Sequence, residues 1–120
     1  MPLQPKTPDS PKAVKTDETF ESAADLFRVM SAPMRLKIIN CLCDGEKNVS
    51  YLLTQVNTTQ PNMSQHLNTL YQAGILGKRR EGVQIFYRII DMRIVSICEA
   101  VCHEINRKTS GPGVTDLSVA

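Results

Sequence analysis

The sequence of 120 residues lacks the motifs that mark the common classes of enzyme. It contains no glycine-rich phosphate loop, no H-E-x-x-H motif and no plausible pairing of a nucleophile with a base. It also lacks internal repeats, and its length predicts one domain. We therefore expect no enzymatic activity.

Long apolar runs are also absent. Residues 1–17 are rich in Pro, Lys, Thr and Asp and show no apolar signal-peptide core, and no other run is long enough to span a membrane. These absences predict a cytoplasmic protein with no membrane partner. Because thiols are kept reduced there, the four cysteines are expected to bind metal or sense redox state rather than form structural disulfides.

Net charge is low, at +2 from 14 basic and 12 acidic residues, but the charge is unevenly distributed. Between Gln60 and Arg88, four basic residues stand against one acid, Glu81, so this segment carries +3 and the rest of the chain −1. A local concentration of positive charge is expected of a surface that binds phosphate.

Composition and periodicity divide the chain into three parts. Residues 1–17 contain four prolines and predict a disordered arm, and residues 109–120, with Gly111, Pro112 and Gly113, predict a disordered tail. Between them, residues 18–108 form the predicted domain. Apolar residues at helical spacing there predict helices over about 20–30, 33–43, 50–56 and 60–73, and a last helix from about residue 91.

A change of period between the fourth and last helices indicates strands. Ile75-Leu76 and Ile85-Phe86-Tyr87 flank a basic segment, which predicts a hairpin with its turn near Glu81-Gly82. Two short helices joined by a tight turn and followed by a basic hairpin are typical of a winged helix-turn-helix. The predicted fold is therefore mainly α with a small β-hairpin wing.

The fourth helix has the pattern of a DNA-recognition helix. Short polar side chains alternate with apolar ones at its N-terminal end; they are Gln60, Asn62, Ser64, Gln65 and His66. Such amides pair with adenine, serine bonds bases or phosphates, and the helix N-terminus suits phosphate. His66 as a metal ligand is the less favoured alternative.

The wing supplies three consecutive cations that could contact the DNA backbone; they are Lys78, Arg79 and Arg80. A polar helix face or a basic hairpin alone is more often a solvated surface. Their order and spacing together predict a protein that binds double-stranded operator DNA and needs no cofactor for that binding.

The first and last helices offer more apolar surface than one small domain needs. The first carries Ala23, Phe27 and Met30, and the last carries Ile94, Ile97, Val101 and Ile105. We predict a symmetric homodimer through these two helices, bound to a roughly palindromic site.

The cysteines form two pairs. Cys41 and Cys43 end the second helix, and Cys98 and Cys102 lie four residues apart on one face of the last helix. Such thiols suit Zn, Cd, Pb, As(III) or Sb(III), and equally dithiol oxidation or persulfide bridging. The preferred hypothesis is a metal site at Cys43, Cys98 and Cys102, with Cys41 as a candidate fourth ligand, although any one cysteine could simply pack as a small apolar residue.

Two segments resemble ArsR/SmtB-type bacterial repressors. Residues 30–38, Met-Ser-Ala-Pro-Met-Arg-Leu-Lys-Ile, are similar to the family's L-s-x-P-x-R-L-x-I, and residues 64–76 match S-x-H-L-x-x-L-x-x-A-G-[LI]-[LV]. Residues 84–88, Gln-Ile-Phe-Tyr-Arg, resemble the sulfide- and redox-responsive branch that includes BigR, SqrR and HlyU. The resemblance covers about residues 20–106 and implies a dimeric repressor released by a signal.

The chain departs from the family's sensor sites. The third helix holds no cysteine, only Asp91 matches the zinc ligands of the last helix, and Asn40 and Asn106 occupy the places of the sulfide-responsive cysteines. The sequence therefore predicts a repressor released by a thiophilic metal or metalloid ion at displaced cysteines. A repressor that senses thiol redox state or persulfide is the alternative, and a metal-scavenging thiol protein is a more remote one.

Overall fold

The computed structural model describes residues 15–110, and the side chains of these as far as residue 107. Most of the predicted arm and tail lies outside the described residues. The described part holds five helices and three strands: α1 (Asp17–Met30), α2 (Pro33–Leu42), β1 (Lys47–Asn48), α3 (Val49–Gln55), α4 (Gln60–Gln72), β2 (Leu76–Glu81), β3 (Gln84–Ile89) and α5 (Met92–Ser110). The predicted class, mainly α with a β-hairpin wing, is confirmed.

Helix α4 begins and ends where local chemistry dictates. The Thr59 hydroxyl accepts a hydrogen bond from the Asn62 backbone N–H at 3.2 Å and so caps the N-terminus. At the other end Gly74 adopts φ +79°, its N–H donates to the Tyr71 carbonyl, and the Ile75 N–H donates to the Leu70 carbonyl. This is a Schellman ending, in which glycine takes the left-handed conformation at little energetic cost.

The core lies between α2, α3, α4 and the base of the wing, and α5 packs over α2 to close it. Each element contributes one apolar face, as the helical spacing predicts. The fully buried side chains are Ile38, Ile39, Leu52, Val56, Met63, Leu67, Leu70, Ile75, Leu76 and Ile94.

The sheet contains a strand that the sequence did not predict. β1 has two residues and pairs antiparallel with β3, placing Lys47 opposite Tyr87 and Asn48 opposite Phe86, so the strand order is β1-β3-β2. Two residues are too few to show an alternating pattern. β1 leads directly into α3, because the Asn48 side chain accepts a hydrogen bond from the Tyr51 N–H and caps that helix.

Apolar side chains on α1 and α5 remain exposed in the single chain. Phe20 and Phe27 on α1 are 59% and 55% exposed, and Val101 on α5 is 52% exposed. Phe20 and Phe27 therefore do not enter the core of their own chain. Of the helices within residues 15–110, none combines the length and apolar character required to cross a bilayer.

Candidate functional site

Helix α4 separates its apolar and polar residues as predicted. Met63, Leu67 and Leu70 are fully buried. The polar residues of its N-terminal half that are exposed are Gln60, Asn62, Ser64 and Gln65. This helix is the second of the helix-turn-helix pair and is called the recognition helix below.

His66 lies apart from that exposed set. It is half-buried, and its Nδ1 is 3.3 Å from Nη1 of Arg35 on α2, while Nε of Arg35 donates to the Val29 carbonyl at 2.5 Å. Arg35, in the first turn of α2, thus connects the C-terminal end of α1 to the recognition helix. The structure places His66 against α2, one turn along from buried Met63 and beside Leu67, and the DNA contact that the sequence suggested for it stays a prediction.

A cleft of about 440 Å³ separates the recognition helix from the wing. Strand β3 forms the wing side of the cleft, Asn48 and the start of α3 complete its walls, and its polar lining includes Asn48, Ser50, Gln60, Ser64 and Gln84. The Asn48 side-chain amide donates to the side-chain oxygen Oε1 of Gln84 across the cleft. Sequence analysis missed Asn48, Ser50 and Gln84, because only the fold brings these three segments together.

The hairpin, Leu76–Ile89 and here called the wing, divides its three cations between two faces. Paired residues of an antiparallel hairpin share a face and successive residues alternate. Lys78 is opposite buried Tyr87 and Arg80 is opposite half-buried Ile85, whereas Arg79 is opposite Phe86 on the other face. Lys78 and Arg80 therefore share the face of the recognition helix, and Lys78 Nζ lies 4.4 Å from the Tyr71 ring centroid.

Arg79 is held by two carboxylates. Its Nε and Nη2 donate to the two oxygens of Glu46 at 2.8 Å each, and its Nη1 donates to Glu81 at 2.9 Å. These bonds raise the pKa of the guanidinium, and the bonds to Glu46 contribute most. The Cζ atom of Arg79 lies 4.5 Å from the Phe86 ring centroid. The sequence suggested Arg79 as a phosphate contact; the structure places it on the opposite face of the wing, bonded to Glu46 and Glu81.

Two thiols are in contact on α5. Cys98 is buried, Cys102 is exposed, and their Sγ atoms are 3.8 Å apart. Burial, followed by the hydrogen bond with Cys102, raises the pKa of Cys98 to about 11. The spacing of four residues predicted this pairing correctly, because such residues lie one above the other on a helix.

Cys43 lies near this pair, at the end of α2. Its side chain is exposed. Its pKa is raised, most by partial desolvation, next by the negative charge of Glu99, and then by smaller contributions that include Cys102. Cys43, Cys98 and Cys102 are called the thiol cluster below. Cys41 is half-buried at an open crevice of about 1150 Å³ between α2 and α5, beside Lys47 and Asp44.

The thiol cluster is not a ready-made metal site within one chain. Among residues 15–110, no three His, Cys, Asp or Glu side chains are close enough together to hold a metal ion. The predicted set of three or four thiol ligands is therefore not assembled here. The physical reason is that Cys43 belongs to the end of α2, whereas Cys98 and Cys102 are fixed to α5.

Comparison with known proteins agrees with this geometry. Residues 32–78 match the family described as "Bacterial regulatory protein, arsR family". An uncharacterized HTH-type transcriptional regulator of Methanocaldococcus jannaschii is 38% identical over 85 residues, which cover 70% of this chain and 96% of that protein.

Two further proteins are similar. The crystal structure of the transcriptional repressor BigR from Xylella fastidiosa superposes with a TM-score of 0.65 at 34% identity and covers 72% of this chain and 93% of that one. A probable mercury resistance operon repressor of Streptomyces lividans is 29% identical over 64% of this chain and 62% of its own length.

The family match, these similarities and the arrangement of helix-turn-helix and wing agree on one assignment. The chain belongs to the ArsR/SmtB family of winged helix-turn-helix transcriptional repressors, which are DNA-binding proteins rather than enzymes.

Proposed function

We propose that this chain is a homodimeric repressor that is released from its operator by a thiophilic metal or metalloid ion bound at the thiol cluster. The observation that carries the proposal is the pair of Sγ atoms 3.8 Å apart on α5, the helix that also exposes Val101 to a partner. The direct test is binding of the purified protein to DNA upstream of its own gene, with and without such ions. Failure to prefer that DNA to a scrambled duplex would contradict the DNA-binding half of the proposal.

The dimer is supported by the exposed apolar residues of α1 and α5. A small domain seldom leaves several large side chains such as Phe20, Phe27 and Val101 in water unless a partner covers them. A two-fold axis would bring the same patch of each chain together and set two recognition helices at one spacing. Such a dimer fits a palindromic operator.

A soft ion is favoured at Cys98 and Cys102 by distance. Zinc–sulfur bonds of about 2.3 Å in a tetrahedral site put two sulfurs about 3.8 Å apart, which is the observed separation. A disulfide needs a sulfur–sulfur bond of about 2.05 Å, so oxidation would have to draw the two side chains together. The raised pKa of Cys98 also keeps it protonated at neutral pH, which slows reaction with oxidants. The mercury-related name of one relative is consistent with this ligand class.

We expect Gln65→Ala to weaken specific DNA binding by about 1–3 kcal/mol, because an exposed amide on the recognition helix can form two hydrogen bonds with one base. The measurement is fluorescence anisotropy with operator and scrambled duplexes. Gln72→Ala, an exposed glutamine at the other end of the same helix, is the matched control and should bind like the parent. Unchanged discrimination in Gln65→Ala would remove Gln65 from the base-contacting set.

Arg80→Gln should weaken binding to all duplexes. The negative slope of log affinity against log salt should become shallower by about one. Arg80 shares the face of the wing that borders the recognition helix, where a phosphate would lie. A salt series between about 50 and 200 mM measures the slope. A slope equal to that of the parent would mean that Arg80 does not reach the DNA backbone.

A further inference from the structure

The outer face of the sheet carries a contact that links all three strands. The side chain of Arg79 on β2 crosses β3 with its guanidinium over the Phe86 ring. It forms a bidentate salt bridge with Glu46, which directly precedes β1. Glu46 and Arg79 are 33 residues apart in sequence. We call Glu46, Arg79 and Phe86 the wing clamp.

The clamp matters because few contacts join β1 to the wing; besides the backbone pairing with β3, the Asn48 side chain donates to Gln84. Only two residues of β1 pair with β3, and Asn48, the second of them, caps α3. The position of β1 therefore sets where the helix-turn-helix begins relative to the wing. An exposed ion pair usually contributes little, but two-pronged arginine–carboxylate geometry combined with stacking on an aromatic ring belongs to the stronger cases.

We propose that the wing clamp positions the wing against the helix-turn-helix, and that Arg79 acts through Glu46 and Phe86 rather than by contacting DNA. This inference rests on the proposed DNA binding and assigns Glu46 and Arg79 as positioning residues for it. Strand alternation supports it, since Arg79 lies on the face opposite to Arg80 and the cleft. Two carboxylates, Glu46 and Glu81, also neutralise its charge locally.

Glu46→Gln gives the sharpest test, because the two possible roles of Arg79 predict opposite signs. Removing an acidic residue ordinarily strengthens binding to a polyanion, and would release Arg79 toward phosphate. The clamp predicts the reverse, a loss of operator affinity of about three- to tenfold. Arg79→Lys, which keeps the charge but loses the planar fork, should lose about as much.

The salt dependence separates positioning from contact. Arg79→Gln should weaken operator binding while leaving the salt slope at the parent value. The control Arg80→Gln should make that negative slope shallower by about one. The double variant Glu46→Gln/Arg79→Gln should bind no more weakly than either single variant, because each change removes the same interaction. Circular dichroism of each variant verifies that it is folded.

Tighter binding by Glu46→Gln, or a salt slope reduced in Arg79→Gln as much as in Arg80→Gln, would overturn the clamp. Hydrogen exchange without DNA tests it independently of the proposed function. The amides of β1 and β3 should exchange faster in Glu46→Gln than in the parent, and equal exchange would also overturn the clamp. A parent protein that binds no specific DNA would contradict the proposed function, while the exchange experiment would still decide about the clamp.

Discussion

Cys98→Ser and Cys102→Ser should each abolish the release of operator DNA by thiophilic ions. In the parent, an ion that prefers the DNA-incompetent form by about 100-fold would shift the DNA-binding equilibrium by about 2.7 kcal/mol. Each serine variant removes one of two sulfurs that lie 3.8 Å apart, and a hydroxyl is a poor ligand for soft ions. We expect less than about a twofold change in DNA affinity on adding As(III), Sb(III), Cd(II), Pb(II) or Zn(II) to either variant.

Two further variants define the extent of the site. Cys41→Ser tests the candidate fourth ligand, since Cys41 lines the same crevice between α2 and α5 as Cys102; a response equal to that of the parent would exclude Cys41 from the site. Cys43→Ser should respond only at higher ion concentration, because it lacks the thiol proposed as the third ligand. If the variants at Cys43, Cys98 and Cys102 all responded like the parent to every ion, the signal would act elsewhere.

The response to divalent ions should strengthen as pH rises. A soft ion binds the thiolate, and burial raises the pKa of Cys98 to about 11, so the proton must be displaced throughout the neutral range. Ion affinity should therefore increase from about pH 6 to pH 9, with proton release on binding. Calorimetry in buffers of different ionisation enthalpy measures that release. A response to persulfide or oxidant alone, with sulfur-bridged products detected by mass spectrometry, would favour the redox alternative.

Phe27→Asp should convert the dimer to a monomer and weaken operator binding at least about 100-fold. A charge in the middle of the exposed apolar face of α1 would have to be buried without a partner on dimerisation. Loss of the second half-site removes the gain from linked binding, which is typically 10²–10⁴-fold. Sedimentation at micromolar concentration measures the mass of the assembly, and anisotropy measures the affinity.

Val83→Asp is the matched control for the assembly. Val83 is 93% exposed in the turn between β2 and β3 and lines the cleft beside the recognition helix, so we expect this variant to sediment with the parent. A parent protein that is monomeric at micromolar concentration and still binds the operator with full affinity would contradict the dimer.

Local signals were sufficient for much of the fold. The predicted limits of the recognition helix, about residues 60 and 73, agree with the observed ones, since the N-cap Thr59 and the left-handed Gly74 act on residues within one turn of them. The spacing of Cys98 and Cys102 predicted their contact for the same reason. Membership of the ArsR/SmtB family, inferred from residues 30–38 and 64–76, was confirmed by the comparisons.

Long-range pairings could not be predicted in this way. The run Lys78-Arg79-Arg80 indicated three phosphate contacts, but strand alternation turns Arg79 away toward Glu46. The contact between His66 and Arg35 joins residues 31 positions apart. Neither pairing leaves a periodic trace in the sequence, because each depends on how distant elements pack. The DNA-contacting residues and the ligands at the thiol cluster remain predictions.

The location of the paired thiols has a consequence for stoichiometry. Cys98 and Cys102 meet within one protomer, and Cys43 is followed after only Asp44 and Gly45 by Glu46 of the wing clamp. Each subunit of a dimer therefore carries its own pair of contacting thiols and a short covalent path from Cys43 to its own wing. Under the proposed function, a dimer would take up one ion per chain. Because loss of one half-site already removes the gain from linked binding, the first ion bound to a dimer would account for most of the release, and derepression would not need both sites to be filled.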